Sequence, residues 1–371
     1  MSALEIFSGV ADEVEQPEIV LNASVPLELS GEAVRGRICT FTDENGTEWA
    51  LRPDLTLPIA LEEITRRKAG TTGRSSRYYS GPVFRLPSLA SEPIEYTQTG
   101  FELFGFDNGP EQDATVFSTV CQACEAEKVS IGQTWIGDLS IFPAFVDALN
   151  IAEETRKGLK RAFRQAGGID AYLNGETSGA ASGLAKRMQG MKREDVAAFV
   201  EDIFALTGIR PVGERSGDEV VERLYERANK GHGELLSHDS RSVLEAAVAV
   251  RGPAEQTVER LADIAKSADL PKAQQAIEQL QVTIALMTER QPDFMASAMF
   301  ATSFGRRFTY YDGLVFEISE ANNPDSAARP FAAGGRYDQL LSNLSGAAVS
   351  ASAVGGIVVP HRLERVAGAK S

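Results

Sequence analysis

Strand-like patterns occupy the two ends of this chain, whereas its middle shows helical periodicity. Up to about residue 150, and again after residue 292, short alternating runs are bounded by glycine, proline or asparagine. Between these regions amphipathic helical stripes dominate. One such stripe comprises Ile277, Leu280, Ile284 and Met287. We therefore predict an α+β core formed by residues 1–150 and 293–371, interrupted by a mainly helical insertion over residues 151–292.

Local patterns assign most elements of the core. Residues 37–53 predict a hairpin, because Asn45-Gly46 supplies the positive φ of a tight turn. Residues 56–70 have helical spacing and end at a glycine, and residues 111–129 predict a second helix. Five further segments predict strands: RYYSGPVFR, IEYTQTGFELFGF, QTWIGDLSIF, RRFTYYDGLVFEISE and AVGGIVV.

Composition argues against several broad classes of protein. A net charge of -15 is unfavourable for a general nucleic-acid binder, which needs lysine and arginine to displace phosphate counterions. No run approaches the roughly 20 apolar residues that span a bilayer. The acidic N-terminal sequence lacks the basic and apolar regions of a secretory signal. We expect a cytoplasmic protein with no membrane partner, and its 371 residues predict two or three structural units.

The cysteines do not predict a disulfide framework or a metal site. Cys39, Cys121 and Cys124 are the cysteines of the chain, and its three histidines leave few imidazole ligands for zinc. Cys121 and Cys124 recur at helical spacing with Val116 and Val120. We interpret them as buried cysteines on one face of a helix.

One predicted strand carries a polar face with a gap in it. The period of two in residues 94–106 places Gln98, Gly100 and Glu102 on one side, so the glycine leaves room for a small ligand. The preceding strand ends at Arg85, which an antiparallel pairing brings near Gln98. A guanidinium beside an amide and a carboxylate suits a zwitterion such as an amino acid. Periodicity alone fits better with a surface salt bridge on a half-exposed sheet.

A second candidate lies near the C-terminus. Gly334 and Gly335 precede Arg336 and would allow another backbone to approach closely. They predict a turn that opens the next helix. Such a turn is as often structural as functional. The segment matches no nucleotide-binding fingerprint. Tyr310 and Tyr311, in a neighbouring predicted strand, point to opposite faces, so one is expected in the core and the other in a pocket.

Taken in order, these segments resemble successive motifs of the catalytic domain of class II histidyl-tRNA synthetases. The matching segments are LRPDLT, YYSGPVFR, YTQTGFELFGF, RRFTYYDGLVFE and AAGGRYDQLL. The resemblance implies an antiparallel sheet flanked by helices and a pocket for free histidine.

The resemblance also implies a role for each matching residue in that pocket. Asp54 and Thr56 correspond to residues that hold the amino group, and Arg85 and Gln98 to residues that face the carboxylate. Glu102 and Tyr311 correspond to residues that recognise the imidazole. Tyr337 closes the pocket, and Arg306 corresponds to an arginine near the reacting carboxylate and phosphate.

Several departures argue against catalysis. The family has glutamate in place of Asp54. The segment LPSLASEPIE lacks the basic residues that grip ATP in the synthetases, and VGGIVVPHRLERV keeps an arginine, Arg362, but loses most of the glycine-rich run. In the segment before Tyr310, Arg307 and Thr309 replace a glycine and an acid of the family pattern. The sequence also has no counterpart of the anticodon-binding domain, so we expect no tRNA partner.

A histidine pocket without an ATP grip resembles a paralogous family, the regulatory subunits that accompany short-form ATP phosphoribosyltransferase; GDLSIF also resembles a segment of that group. The resemblance implies no catalytic residue and no cofactor. It also implies a hetero-oligomer with the catalytic subunit, histidine as feedback effector, and self-dimerisation. Two alternatives remain: a truncated enzyme that activates histidine for a non-tRNA acceptor, and a scaffold that has lost its ligand.

Overall fold

The computed structural model divides the chain into two compact units. One unit comprises Met1–Asn150 with Ala246–Ser371, and the other comprises Ile151–Glu245. Within the chain, the structure describes residues 2–29, 32–88, 92–106, 109–129, 132–165, 168–173, 188, 190–207, 221, 236–305, 309–320 and 329–368.

The first unit is built on a nine-stranded sheet and a small three-stranded sheet. The strands are β1 Glu13–Val14, β2 Val20–Asn22, β3 Thr40–Thr42, β4 Glu48–Leu51, β5 Ser75–Phe84, β6 Glu95–Phe104, β7 Gln133–Asp138, β8 Arg251–Pro253, β9 Met299–Ala301, β10 Leu314–Ser319, β11 Ala332–Arg336 and β12 Ala353–Val358. The large sheet has the order β1-β5-β6-β12-β11-β10-β7-β9-β8. Its pairings are antiparallel apart from β1 with β5 and β7 with β9.

The strand order shows that the two ends of the chain form one sheet. Strands β10, β11 and β12 from the C-terminal region lie between β6 and β7 from the N-terminal region. Strand β10 pairs with β7 and strand β12 pairs with β6, so both satisfy backbone N–H and C=O groups on partners more than 150 residues away in sequence, and β11 lies between them. This confirms the predicted α+β core with a largely antiparallel sheet.

Helices flank this sheet and make up most of the described part of the second unit. They are α1 Ala3–Ser8, α2 Ser24–Leu29, α3 Glu32–Arg35, α4 Thr56–Lys68, α5 Pro110–Ala126, α6 Ile141–Ala148, α7 Glu153–Phe163, α8 Gly168–Leu173, α9 Arg193–Thr207, α10 His238–Ala249, α11 Ala254–Ser267, α12 Pro271–Arg290, α13 Pro292–Met295, α14 Leu340–Ser345 and α15 Pro360–Gly368. Helix α5 packs on β11 and β12, and Cys121 and Cys124 are buried on it, as the periodicity predicted.

The second unit has its own small apolar clusters. Helices α7 and α8 pack against each other, and Gly158 admits the ring of Tyr172 between them. A separate cluster joins Val196 and Val200 of α9 with Met188 and Val221.

The insertion is shorter than its helical periodicity suggested. Residues 246–292 belong with the sheet: α12 packs on α5 and α6, and α11 packs on α12. Gly252 and Pro253 lie between α10 and α11, in the edge strand β8. An amphipathic stripe predicts a helix but carries no information about which surface covers its apolar side.

Three local predictions also differ from the structure. The strand predicted over residues 133–142 ends at Asp138, and Ile141 begins α6. Tyr310 and Tyr311 precede β10 and are not part of it. Gly334 and Gly335 lie within strand β11, where no turn forms. In each case tertiary contacts override a short-range pattern.

Four glycines let β11, β12 and the layers around them approach closely. Gly334 pairs with Gly356 and Gly335 with Gly355 across the two strands. A Cβ on Gly334 would lie 2.6 Å from Cζ of Phe316 and 2.7 Å from the carbonyl oxygen of Gly355. The sheet at this point is therefore packed too tightly for a methyl group.

We expect Gly334→Ala to lower the free energy of unfolding by about 1–3 kcal/mol, as overpacked cores do. Gly36→Ala is the matched control, because a Cβ there meets no atom within 4 Å. Urea denaturation of both variants measures the effect. Equal stability of the two variants would contradict the close packing.

Candidate functional site

A cavity of about 340 Å³ lies within the first unit. Its walls come from strands β6, β10, β11 and β12, from the start of α4, and from the segment before β10. The lining residues are Val34, Arg37, Asp54, Thr56, Arg85, Ser88, Tyr96, Gln98, Glu102, Tyr310, Tyr311, Glu317, Pro330, Ala333, Tyr337, Gly355, Gly356, Ile357, Val359 and Arg362.

Seven of the eight residues implicated by sequence line this cavity: Asp54, Thr56, Arg85, Gln98, Glu102, Tyr311 and Tyr337. The eighth, Arg306, lies outside the described residues. Side-chain alternation along β6 brings Gln98 and Glu102 to one side, as predicted. The antiparallel pairing of β5 with β6 places Gly81 opposite Gln98, and Arg85 follows four residues later. The structure thus assembles the predicted set, and the role of each residue toward a ligand stays a prediction.

Glu102 is the centre of a buried hydroxyl cluster. Its Oε1 accepts hydrogen bonds from Thr56 Oγ1 at 2.7 Å and from the Tyr79 hydroxyl at 2.9 Å, while its Oε2 contacts the Tyr337 hydroxyl. A Cβ on Gly355 would lie 1.6 Å from Oε2, so only glycine leaves space for the carboxyl group. The side chain is therefore fixed from four directions.

Burial dominates the electrostatics of Glu102. It is 1% exposed, and loss of hydration raises its pKa to about 7, although hydrogen bonds from Tyr337, Thr56 and Tyr79 oppose the shift. Near neutral pH the carboxyl group exchanges between its protonated and ionised forms. It can thus donate a hydrogen bond to a ring nitrogen or accept one from a ring N–H.

Among the described residues, two buried acceptors in the cavity have no hydrogen-bond partner. Asp54 Oδ1 accepts the Leu57 N–H at 3.0 Å at the start of α4, but within that part of the chain neither Asp54 Oδ2 nor Gln98 Oε1 has a donor. Burial raises the pKa of Asp54, while Arg85 opposes the shift. Unpartnered buried oxygens are costly, so both are suited to a donor that a ligand brings, such as an ammonium group.

Three guanidinium groups line the cavity. Arg85 Nε donates to the Pro53 carbonyl at 2.6 Å, Arg37 Nε donates to the Leu86 carbonyl at 2.7 Å, and Arg362 contacts Glu92. Burial lowers the pKa of Arg37, and the nearby charges of Arg85 and Arg362 lower it further. Arg85 lies close enough to Asp54 for their charges to interact, so the cavity carries both guanidinium and carboxyl groups, a combination that suits a zwitterion.

The tyrosines differ from the sequence-based expectation. Tyr310 and Tyr311 both line the cavity, with ring centroids 4.7 Å apart, instead of facing opposite sides. The ring of Tyr311 lies on Gly335, because a Cβ there would be 2.9 Å from its Cε1. The predicted gap at Gly100 is filled by the Tyr79 hydroxyl and the Ile357 side chain, so it does not hold the ligand.

Sequence reasoning missed Tyr79, Arg37 and Glu317. Tyr79 shares the side of β5 that ends at Arg85, so period-two alternation was a usable signal. Glu317 lies within β10, but alternation alone did not say which of its sides faces a pocket. Arg37 begins the predicted hairpin but precedes β3 in the structure, and only the tertiary structure brings it to the cavity.

The fold and this cavity define the class of protein. The sequence model of the family described as Histidyl-tRNA synthetase matches residues 12–193 and 196–359, and the chain belongs to that family. Curated relatives from Chelativorans sp. (strain BNC1) and Agrobacterium fabrum (strain C58) are named ATP phosphoribosyltransferase regulatory subunit. They are 28% and 29% identical over 99% and 98% of this chain and 96% of each relative.

Solved structures agree on the fold. A Bacillus halodurans protein described as an ATP phosphoribosyltransferase regulatory subunit/histidyl-tRNA synthetase has a TM-score of 0.64 and 19% identity, covering 98% of this chain and 76% of that one. A histidine–tRNA ligase subunit from Alicyclobacillus acidocaldarius has a TM-score of 0.57 and 21% identity, covering 99% and 91%. This agreement confirms the predicted class II synthetase-like fold.

The described residues contain neither a candidate metal site nor a candidate membrane span. Within those ranges, no cluster of histidine, cysteine and acidic side chains is placed to hold a metal ion. Across the same part of the chain, no helix combines the length and apolarity needed to cross a membrane.

The raised pKa of Glu102 predicts a pH-dependent stability. Between its ordinary pKa of 4.5 and about 7, the folded chain keeps a proton that the unfolded chain has lost. The free energy of unfolding therefore falls as pH rises through this window, by up to about 3 kcal/mol from this group. Glu102→Gln lacks this titration, so the difference between wild type and variant should change with pH. Urea denaturation at pH 4.5 and 8 measures it, and a constant difference would contradict the assignment.

Proposed function

We propose that the chain is a non-catalytic regulatory subunit of ATP phosphoribosyltransferase that binds free histidine in this cavity. The observation that carries the proposal is a cavity lined by guanidinium groups, by a titrating carboxyl group at Glu102, and by buried acceptors at Asp54 and Gln98 that have no partner among the described residues. The names of the curated relatives supply the regulatory role.

The cavity matches each functional group of histidine. The α-ammonium group would donate to Asp54 Oδ2 and Gln98 Oε1, and the carboxylate would face Arg85. The imidazole would meet Glu102, whose carboxyl group offers a donor or an acceptor according to its protonation. Tyr311 and Tyr337 both line the cavity and contact each other edge to face, with centroids 6.2 Å apart, so together they would form one wall beside the ring.

Regulation follows from ordinary linkage in a hetero-oligomer with the catalytic subunit. Histidine inhibits if it binds one conformation of the complex more tightly than the other. The same subunit would be required for full activity of its partner, and self-dimerisation of this chain would give the complex its symmetry.

A second candidate is an enzyme that activates histidine for an acceptor other than tRNA. It is favoured by Arg85 and Arg362, which both line the cavity and match arginines of the synthetase motifs. Against it stands the segment at residues 86–88 and 92–93, which contributes no basic side chain to a triphosphate.

Isothermal titration with histidine tests the ligand. We expect binding by the wild type and roughly 10- to 100-fold weaker binding by Gln98→Met, because a hydrogen bond to a charged donor contributes about 1.5–3 kcal/mol. Thr97→Val is the matched control, since Thr97 is an exposed neighbour on the other side of β6. If the wild-type protein binds its catalytic partner but gives no heat with histidine, the proposed histidine binding is wrong. The chain would then be the scaffold that has lost its ligand.

An assay with a short-form ATP phosphoribosyltransferase catalytic subunit tests the regulatory role. We expect this chain to co-purify with that subunit, to raise its activity, and to make it sensitive to histidine. Gln98→Met should still raise the activity but require more histidine for inhibition, which separates assembly from sensing. Histidine-dependent ATP–pyrophosphate exchange by this chain alone would overturn the proposal in favour of the enzyme.

A further inference from the structure

One of the arginines that line the cavity, Arg362, is held in an ion pair by Glu92. Arg362 lies at the start of α15 and lines the cavity. Glu92 Oε2 accepts hydrogen bonds from Arg362 Nη2 at 2.7 Å and from Arg362 Nε at 3.2 Å. The side chains of both residues are only 9% exposed. The pair is therefore largely shielded from solvent, and its electrostatic attraction is stronger than that of a surface pair.

A further hydrogen bond engages the other terminal nitrogen of Arg362. Its Nη1 donates to the Pro330 carbonyl at 2.9 Å, and its guanidinium carbon lies 5.1 Å from the centre of the Tyr96 ring. Glu92 holds the Nε–Nη2 edge, one of the two guanidinium edges that can form a two-point contact with an oxyanion. An incoming oxyanion can reach this edge only by displacing Glu92.

A second guanidinium group and an imidazole lie near the same carboxylate. Arg329 Nη1 lies 3.7 Å from Glu92 Oε1, and His361 Nε2 lies 3.9 Å from Glu92 Oε2, with the pKa of His361 lowered by burial and by the charge of Arg362. Arg37 and Arg85 line the same cavity. Without Glu92 the arginines would concentrate positive charge here, which attracts phosphate groups.

We propose that Glu92 is a specificity-determining residue that acts as an internal substitute for a phosphate group on Arg362. It thereby excludes nucleotides and other phosphate esters from the cavity and leaves the cavity to a free amino acid. The inference rests on the proposed function, in which the cavity binds an amino acid without ATP. Two features would then exclude phosphate: the acidic side chain of Glu92, and the lack of basic residues in the segment around it.

The test is titration of the full-length chain with ATP, using wild type, Glu92→Gln and the double variant Glu92→Gln/Arg362→Gln. We expect weak or undetectable ATP binding by the wild type. Glu92→Gln should bind ATP at least about tenfold more tightly, because the Glu92 carboxylate no longer competes with a phosphate group for Arg362. The double variant should lose that gain.

Glu95→Gln is the charge-matched control, because Glu95 is an exposed residue of β6 whose neighbour Tyr96 faces the cavity. It should bind ATP as weakly as the wild type does. Thermal unfolding checks that each variant is folded, and Glu92→Ala repeats the test if Glu92→Gln is not.

Unchanged ATP affinity in folded Glu92→Gln or Glu92→Ala overturns the proposal, and so does tight ATP binding by the wild type. A parallel titration with histidine keeps the two proposals separable. If the wild type fails to bind histidine while removal of Glu92 admits ATP, the proposed function fails and the role of Glu92 stands.

Discussion

The buried carboxyl group of Glu102 is the interaction on which the cavity depends. It joins hydroxyl groups from the first residue of α4, from the middle of β5 and from the residue after β11. Those elements come from opposite ends of the chain, so one side chain ties together the two regions that form the sheet. Because burial raises its pKa to about 7, the same contact links the integrity of the cavity to pH.

The glycines of β11 and β12 make that contact possible. Gly355 leaves space for the carboxyl group on one side of the sheet, and Gly356 leaves space for Val120 of α5 on the other. A residue with a Cβ at either position would separate the layers. The sheet therefore serves both as the floor of a polar cavity and as one wall of an apolar core, with only backbone between them.

Two groups of cavity residues differ in their hydrogen bonding. Asp54 and Gln98 present acceptors without partners among the described residues and thus favour a ligand with an ammonium group. Arg362 already has its partner in Glu92, so a further anion must compete with an intramolecular one. Under the proposed function, this pairing would let the chain keep arginines that match the synthetase motifs and still select an amino acid.

By itself, the sequence determined the local elements and the membership of the site. The alternation in β6 put Gln98 and Glu102 on one side, and the ordered motifs brought Asp54, Thr56, Arg85, Tyr311 and Tyr337 into the same set. The sequence left open what only long-range packing decides: that Arg37 reaches the cavity, that Tyr79 fills the gap at Gly100, and that residues 246–292 pack with the sheet. Periodicity records which side of an element is apolar or polar. Which distant surface meets that side depends on the tertiary contacts.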